Sequence, residues 1–94
     1  MIRSYRDRDT ERLAAGEKVR QWKPFRCQAE KRLRILDAAS SLGDLAALNS
    51  NRLEVLKGNR KGQYSIRIND QWRICFKWAK DEPGPSSVEI VDYH

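Results

Sequence analysis

The stretch Tyr64-Ser65-Ile66-Arg67-Ile68-Asn69-Asp70-Gln71-Trp72-Arg73-Ile74-Cys75-Phe76-Lys77-Trp78 decides the fold class. Tyr64, Ile66 and Ile68 alternate with Ser65 and Arg67, and Trp72, Ile74, Phe76 and Trp78 alternate with Arg73, Cys75 and Lys77. Successive side chains of a strand point to opposite faces, so this period of two predicts a half-buried antiparallel hairpin turning at Asn69-Asp70. One face is apolar and faces a core. The other carries Ser65, Arg67, Arg73, Cys75 and Lys77, and its polar, basic character makes it the expected working surface.

Working outward, Glu82-Pro83-Gly84-Pro85-Ser86 predicts a second turn and residues 88–91 a last strand. On the other side, Lys57-Gly58-Asn59-Arg60-Lys61-Gly62 is a basic loop bounded by glycine, preceded by a strand over 53–56. The period then changes. Phe25, Ala29, Leu33, Leu36 and Ala39 recur at helical spacing, predicting an amphipathic helix from Pro24 to Leu42-Gly43, with a short helical turn over 44–48 and a loop at 49–51. Asp9-Thr10 offers a cap for a short helix over 11–15 that stops at Gly16. Residues 17–22 read as a polar loop and residues 2–5 as a short strand. Helices followed by a meander of strands predict an α+β domain, with N-terminal helices packed on one face of a small antiparallel sheet and residues 1–94 forming one domain.

The 94 residues include 19 Lys and Arg against 13 Asp and Glu, leaving +6, which points to a polyanionic partner. Three Trp, three Tyr and two Phe supply a core and argue against a disordered tail. No apolar run approaches membrane-spanning length and the first residues lack the apolar stretch of a signal peptide, so no membrane partner and a cytoplasmic location are expected. Cys27 and Cys75 are too few for a disulfide scaffold; Cys27 is expected buried on the helix and Cys75 as a small strand residue. The one histidine, His94, has no neighbouring Cys or His at zinc spacing, so no metal and no cofactor are expected.

RNA can be cut without metal when its 2′-hydroxyl attacks the adjacent phosphate. A base takes that proton, an acid protonates the departing 5′-oxygen, and cations hold the charge that builds on phosphorus. Glu54 or Asp92 qualifies as the base, His94 as the acid, and Arg73 and Lys57 as phosphate holders; Tyr93 can stack on a base or donate a hydrogen bond. Arg60, Lys61, Arg67 and Lys77 are the further candidates to hold RNA. Each residue also has a plainer reading. Arg73 can be a solvated charge on a polar sheet face, Lys57, Arg60 and Lys61 a solvated loop, and Asp92-Tyr93-His94 a frayed end.

Three ordered motifs carry a resemblance: the segment from Leu53 to Ile66 with its Leu56-Lys57-Gly58, the segment Asn69 to Phe76 with Trp72-Arg73-Ile74, and the ending Val88 to His94 with Asp92-Tyr93-His94. Together they resemble the HigB group of RelE-like toxins from bacterial type II toxin–antitoxin systems. The resemblance implies a compact RelE-like α+β fold and metal-free endoribonuclease activity on messenger RNA in the ribosomal A site. It also implies neutralisation by a cognate helix-turn-helix antitoxin, through which operator DNA is bound indirectly. By motif match, Lys57, Arg73, Asp92, Tyr93 and His94 fall on active-site positions of the family. Glu54 is a departure, since some members carry His there; a carboxylate can serve as base or hold a cation. Two other readings stand beside the enzyme: a non-catalytic basic module that binds RNA or a partner, and a degenerate toxin that acts as corepressor with a DNA-binding antitoxin.

Overall fold

A computed structural model describes residues 1–92. Tyr93 and His94, the expected stacking residue and acid, lie outside the described residues. Among the described residues, the hairpin expected from the alternation forms as β2, Gln63–Arg67, and β3, Trp72–Lys77. It is flanked by a two-residue β1, Glu54–Val55, and by β4, Ser86–Asp92, in an antiparallel sheet of order β1-β2-β3-β4. The strand expected over 53–56 is thus shorter, although the Leu56 N–H still donates to the Gln63 carbonyl at 3.0 Å. At the turn, the Asn69 side chain accepts from the N–H groups of Gln71 and Trp72, the local bonding that suits Asn to turns.

The strand expected over 2–5 is reduced to a parallel bridge between Tyr5 and Val88. Its backbone nevertheless covers the outer edge of β4: Arg3 N–H donates to the Pro85 carbonyl, Val88 N–H to Ser4 and Arg6 N–H to Val88. Gly84 is required here, because a Cβ at that position would stand 2.0 Å from the Met1 carbonyl oxygen. β4 carries one extra residue opposite Cys75–Lys77, and Ser87 takes a left-handed φ of 51° there. Beyond Arg6 the chain turns into α1, Arg8–Ala14, and the edge bonding passes to a side chain: the buried Thr10 hydroxyl accepts from the Ile90 N–H at 3.1 Å.

Several helical boundaries differ from expectation. α1 begins at Arg8, with Asp7 rather than Asp9 or Thr10 at the cap position, because Thr10 is turned inward to Ile90, and the expected loop 49–51 is a 3-10 turn, Asn49–Asn51. Residues 17–22 are not all loop, because Arg20–Phe25 is a 3-10 helix containing Pro24. The reason is visible in Val19, Trp22 and Phe25. A 3-10 helix has three residues per turn, and this spacing of three turns all of them into the core. The long helix α2 therefore spans Arg26–Ala38 rather than starting at Pro24. It ends early because Ser41 caps a new helix, α3, Leu42–Ala47: the Ser41 hydroxyl accepts from the Asp44 N–H while the Asp44 carboxylate accepts from the Ser40 N–H. Cys27 is exposed, not buried, because Ala29, Leu33 and Leu36 define the inward stripe and Cys27 lies off it.

The core lies between the helices and one sheet face, where Leu13, Trp22, Ala29, Leu33 and Leu36 meet Ile66, Ile74, Phe76, Val88 and Ile90. Asn51, fully buried, ties the connection that precedes β1 to α2 and α3: it accepts from Arg32 at 2.7 Å and donates to the Leu45 carbonyl at 3.1 Å. Among the described residues no helix is long and apolar enough to cross a membrane. The edge bond from Thr10 gives a direct prediction. Thr10→Val keeps the side-chain shape but leaves the Ile90 N–H buried without an acceptor. It should lower unfolding free energy by about 1–3 kcal/mol in urea titrations followed by tryptophan fluorescence. An unchanged midpoint would contradict the role given to Thr10.

Candidate functional site

The register fixes which side chains share the sheet face turned away from the core. Glu54 opposes Ser65, Ser65 opposes Cys75 and Cys75 opposes Glu89, so these four form one row across β1 to β4. The next row places Arg67 opposite Arg73 and Arg73 opposite Val91. This face was expected to be open to solvent, and that expectation is corrected. Ser65 and Cys75 are fully buried and Arg73 is only 7% exposed. Long side chains from the flanking segments cover it. The Arg60 guanidinium bonds both Gln63, at 3.2 Å, and Glu89, at 3.0 Å, and Arg6 approaches Glu89 from the N-terminal segment at 3.3 Å.

Arg73 is the most constrained charge on this face. Its Nε donates to the Ser65 hydroxyl at 2.7 Å, one terminal nitrogen donates to the carbonyls of Arg52 and Ser65, and the other lies 3.7 Å from the Glu54 carboxylate. A solvated surface charge is therefore the wrong description of it. A buried guanidinium has to be given acceptors by the protein, and here two backbone carbonyls, a hydroxyl and a carboxylate provide them. Arg52 presents its carbonyl from a left-handed conformation, φ 44°, at the end of the 3-10 turn Asn49–Asn51. Arg67, the like charge directly across the ladder, turns to Asp70 at the hairpin end instead. The Glu54 side chain is half exposed, so the Glu54–Arg73 pair sits at the rim where the buried cation meets solvent.

The other candidates divide between places. Lys57 is exposed at the head of the 3-10 turn Gly58–Arg60, directly after β1. Lys61 and Lys77 are also exposed, whereas Arg60 and Arg67 are held in ion pairs. Asp92 opposes Trp72, so it belongs to Trp72's side of the sheet and not to the Arg73 row; its carboxylate accepts from the Gln71 amide at 3.0 Å. The structure thus brings Glu54 and Arg73 together and sets Asp92 at the same strand end but on the opposite face. Sequence reading missed Ser65, the Arg52 carbonyl and Glu89 as parts of the network. Counting alternate positions back from Val91 would have placed Glu89 on the same face as Val91; its position opposite Cys75 comes from the strand register. Nothing in the sequence marks Arg52, a non-glycine residue, for a left-handed conformation. Burial pushes the Cys75 thiol's pKa up, an effect the Glu89 carboxylate adds to and the guanidinium groups of Arg60, Arg73 and Arg6 oppose.

The two partners of Arg73 should differ in what they contribute. Ser65→Ala removes a fully buried acceptor and should cost about 1–3 kcal/mol of stability. Glu54→Gln loosens a half-exposed ion pair and should cost no more than about 1 kcal/mol. Chemical denaturation of both variants checks the order; a larger loss from Glu54→Gln would contradict it.

Comparison with known proteins bears on this site. A family model described as RelE-like toxin of type II toxin-antitoxin system HigB matches residues 2–94. Toxin HigB-1 of Vibrio cholerae serotype O1 is 49% identical over 49 residues, covering 52% of this chain and 52% of that protein. Endoribonuclease HigB of Proteus vulgaris is 35% identical over 63 residues, covering 67% of this chain and 65% of that protein. An uncharacterised protein of Haemophilus influenzae is 33% identical over 52 residues, 55% of this chain and 52% of that protein. The matches thus span about half to two thirds of the curated relatives' length. The family match runs through every motif quoted above and agrees with the α+β architecture, so the chain belongs to the HigB-like family of RelE-like toxins of type II toxin–antitoxin systems.

Proposed function

We propose that this protein is the toxin of its system and acts as a metal-free endoribonuclease on messenger RNA held in the ribosomal A site. A cognate helix-turn-helix antitoxin neutralises it and carries the complex to operator DNA. Family membership and the printed name of the Proteus vulgaris relative support the RNA-cutting class. The observation that carries the reading is the pair of a buried, preset guanidinium and a half-exposed carboxylate, Arg73 and Glu54.

The chemistry follows from that pair. A cation already fixed in a low-dielectric setting stabilises a developing phosphorane charge without reorganising, which is the most effective form of electrostatic assistance. In the reading proposed, the scissile phosphate meets Arg73 at the rim and displaces Glu54 from it. The released carboxylate takes the 2′-hydroxyl proton, the 2′-oxygen bonds to phosphorus, and the bond from phosphorus to the 5′-oxygen breaks. His94 supplies the proton that the 5′-oxygen needs. Asp92 is the alternative base, Lys57 a second phosphate cation and Tyr93 the base-stacking group. Lys61 and Lys77 are further backbone contacts, with Arg60 and Arg67 joining them only by leaving their ion pairs.

Expression in a bacterial host, with primer extension on messenger RNA, tests this. The wild-type chain should arrest growth and create discrete new 5′ ends inside codons. Arg73→Lys keeps the charge but loses the planar fork, and should lower cleavage by about 10²–10³-fold. Glu54→Gln should lower it by about 10²-fold. Thermal melts confirm that each variant is folded. If both folded variants remained as toxic as wild type, the site would be wrong; if wild type produced no new 5′ ends, the enzymatic reading would be wrong.

A further inference from the structure

Most of the chain's excess positive charge lies off the face that holds Arg73. There, Arg73 is matched by Glu54 and Arg67 by Asp70, Arg60 and Arg6 share Glu89, and Lys77 is exposed. Residues 18–34, by contrast, carry seven Lys and Arg against one acidic residue, Glu30, an excess equal to that of the whole chain. Of these, Lys18, Arg20, Lys23 and Arg26 surround a groove of about 360 Å³, floored by Val19, where the 3-10 helix Arg20–Phe25 runs into α2. Arg26 is fixed by the Gly16 carbonyl and Glu30, while Lys18, Arg20 and Lys23 are exposed.

We infer that this groove is a docking surface for the phosphodiester backbone of RNA, separate from the Arg73 face. Charge complementarity selects the polyanion. The three-residue spacing sorts the segment cleanly: Val19, Trp22 and Phe25 point into the core at 5%, 3% and 7% exposure, and cations occupy the outward positions. A protein partner takes most of its affinity from anchors such as aromatic side chains at the centre of its interface, and the aromatic residues of this segment, Trp22 and Phe25, are turned inward. Backbone binding needs only cations, each displacing condensed counterions from the RNA. Position is favourable as well. Phe25 stacks on Trp72 with ring centroids 5.0 Å apart, and Trp72 precedes Arg73 and opposes Asp92, so the groove adjoins the strand end nearest the candidate site. An RNA engaged at Arg73 can therefore continue around that end of the sheet onto the 3-10 helix.

This inference rests on reading the protein as RNA-directed, and its test scores binding apart from cleavage. The probe is a fluorescein-labelled RNA hairpin carrying 2′-O-methyl groups throughout, which has no 2′-hydroxyl to attack. The variant is Lys18→Gln/Arg20→Gln/Lys23→Gln, with Arg3→Gln/Arg8→Gln/Lys80→Gln as a control of equal charge change. Thermal melts verify both folds. The groove variant should bind at least about tenfold more weakly, and the slope of log affinity against log salt should fall by about 2 in magnitude, while the control changes each much less. Affinity within twofold of wild type, or an equal loss in the control, would overturn the inference. So would unchanged RNA binding with lost binding of the cognate antitoxin, which would assign the groove to the protein partner. Absence of cleavage by the wild-type protein, with hairpin binding behaving as described, would refute the nuclease reading and leave this one standing.

Discussion

A guanidinium taken out of water must find its hydrogen-bond acceptors within the protein, and Arg73 imposes that requirement on the segments around it. The uncompensated cost of burying such a charge is several kcal/mol, enough to undo a domain of ordinary stability. Among the described residues, four groups from three segments contribute to meeting the requirement: the hydroxyl and carbonyl of Ser65 on β2, the carbonyl of Arg52 before β1, and the carboxylate of Glu54 within β1. β1 has only two residues of ladder, and Arg73 gives it and the turn before it a second attachment to the sheet. Asn51, one residue earlier, anchors the same connection to α2 and α3 through Arg32 and Leu45. The candidate site is therefore built where the helical half and the sheet half of the chain are joined.

The sheet separates structure from chemistry by parity. Odd positions of β3 from Arg73 onward face the polar network and even positions face the core. Arg73 and Asp92 stand at one end of the sheet on opposite faces, and the stacked rings of Phe25 and Trp72 bring the basic 3-10 helix to that same end. Charge is partitioned in the same way. On the site face most guanidinium groups are held by carboxylates, Arg73 by Glu54, Arg67 by Asp70, and Arg60 and Arg6 together by Glu89, whereas the helical surface over residues 18–34 carries the larger excess; under the proposed function the first suits one phosphate and the second a backbone at no particular nucleotide.

Much of this was legible in the sequence, and the failures have physical causes. The hairpin was readable because alternating apolar residues specify register strongly. The Arg73 face was misjudged because polarity alone does not distinguish a solvated face from a buried polar network; here Arg60 and Arg6 reach across to Glu89, and Arg52 and Glu54 close on Arg73. The helix starting at Pro24 was drawn two residues long at its front because Phe25 satisfies both the three-residue spacing with Trp22 and the four-residue spacing with Ala29. Its far end was overrun because Ser41 was read as part of it and Asp44 as the start of a separate turn, whereas the two, three apart, form a cap. Lys57, Arg73 and Asp92 were nameable through the motif resemblance and Glu54 as a carboxylate that departs from it; their division between two faces and a loop was not, since that depends on strand pairing.

The account's central claim is that this protein cuts RNA by transferring phosphate to the neighbouring 2′-oxygen, with charge held by Arg73. Mass spectrometry of the fragments made by purified protein on programmed ribosomes tests it most directly, after ribosome assembly and with free divalent ions held constant. Transfer to the 2′-oxygen predicts a 2′,3′-cyclic phosphate on the upstream fragment and a 5′-hydroxyl on the downstream one. A 3′-hydroxyl with a 5′-phosphate would mean that water is the attacking group, and would contradict the account.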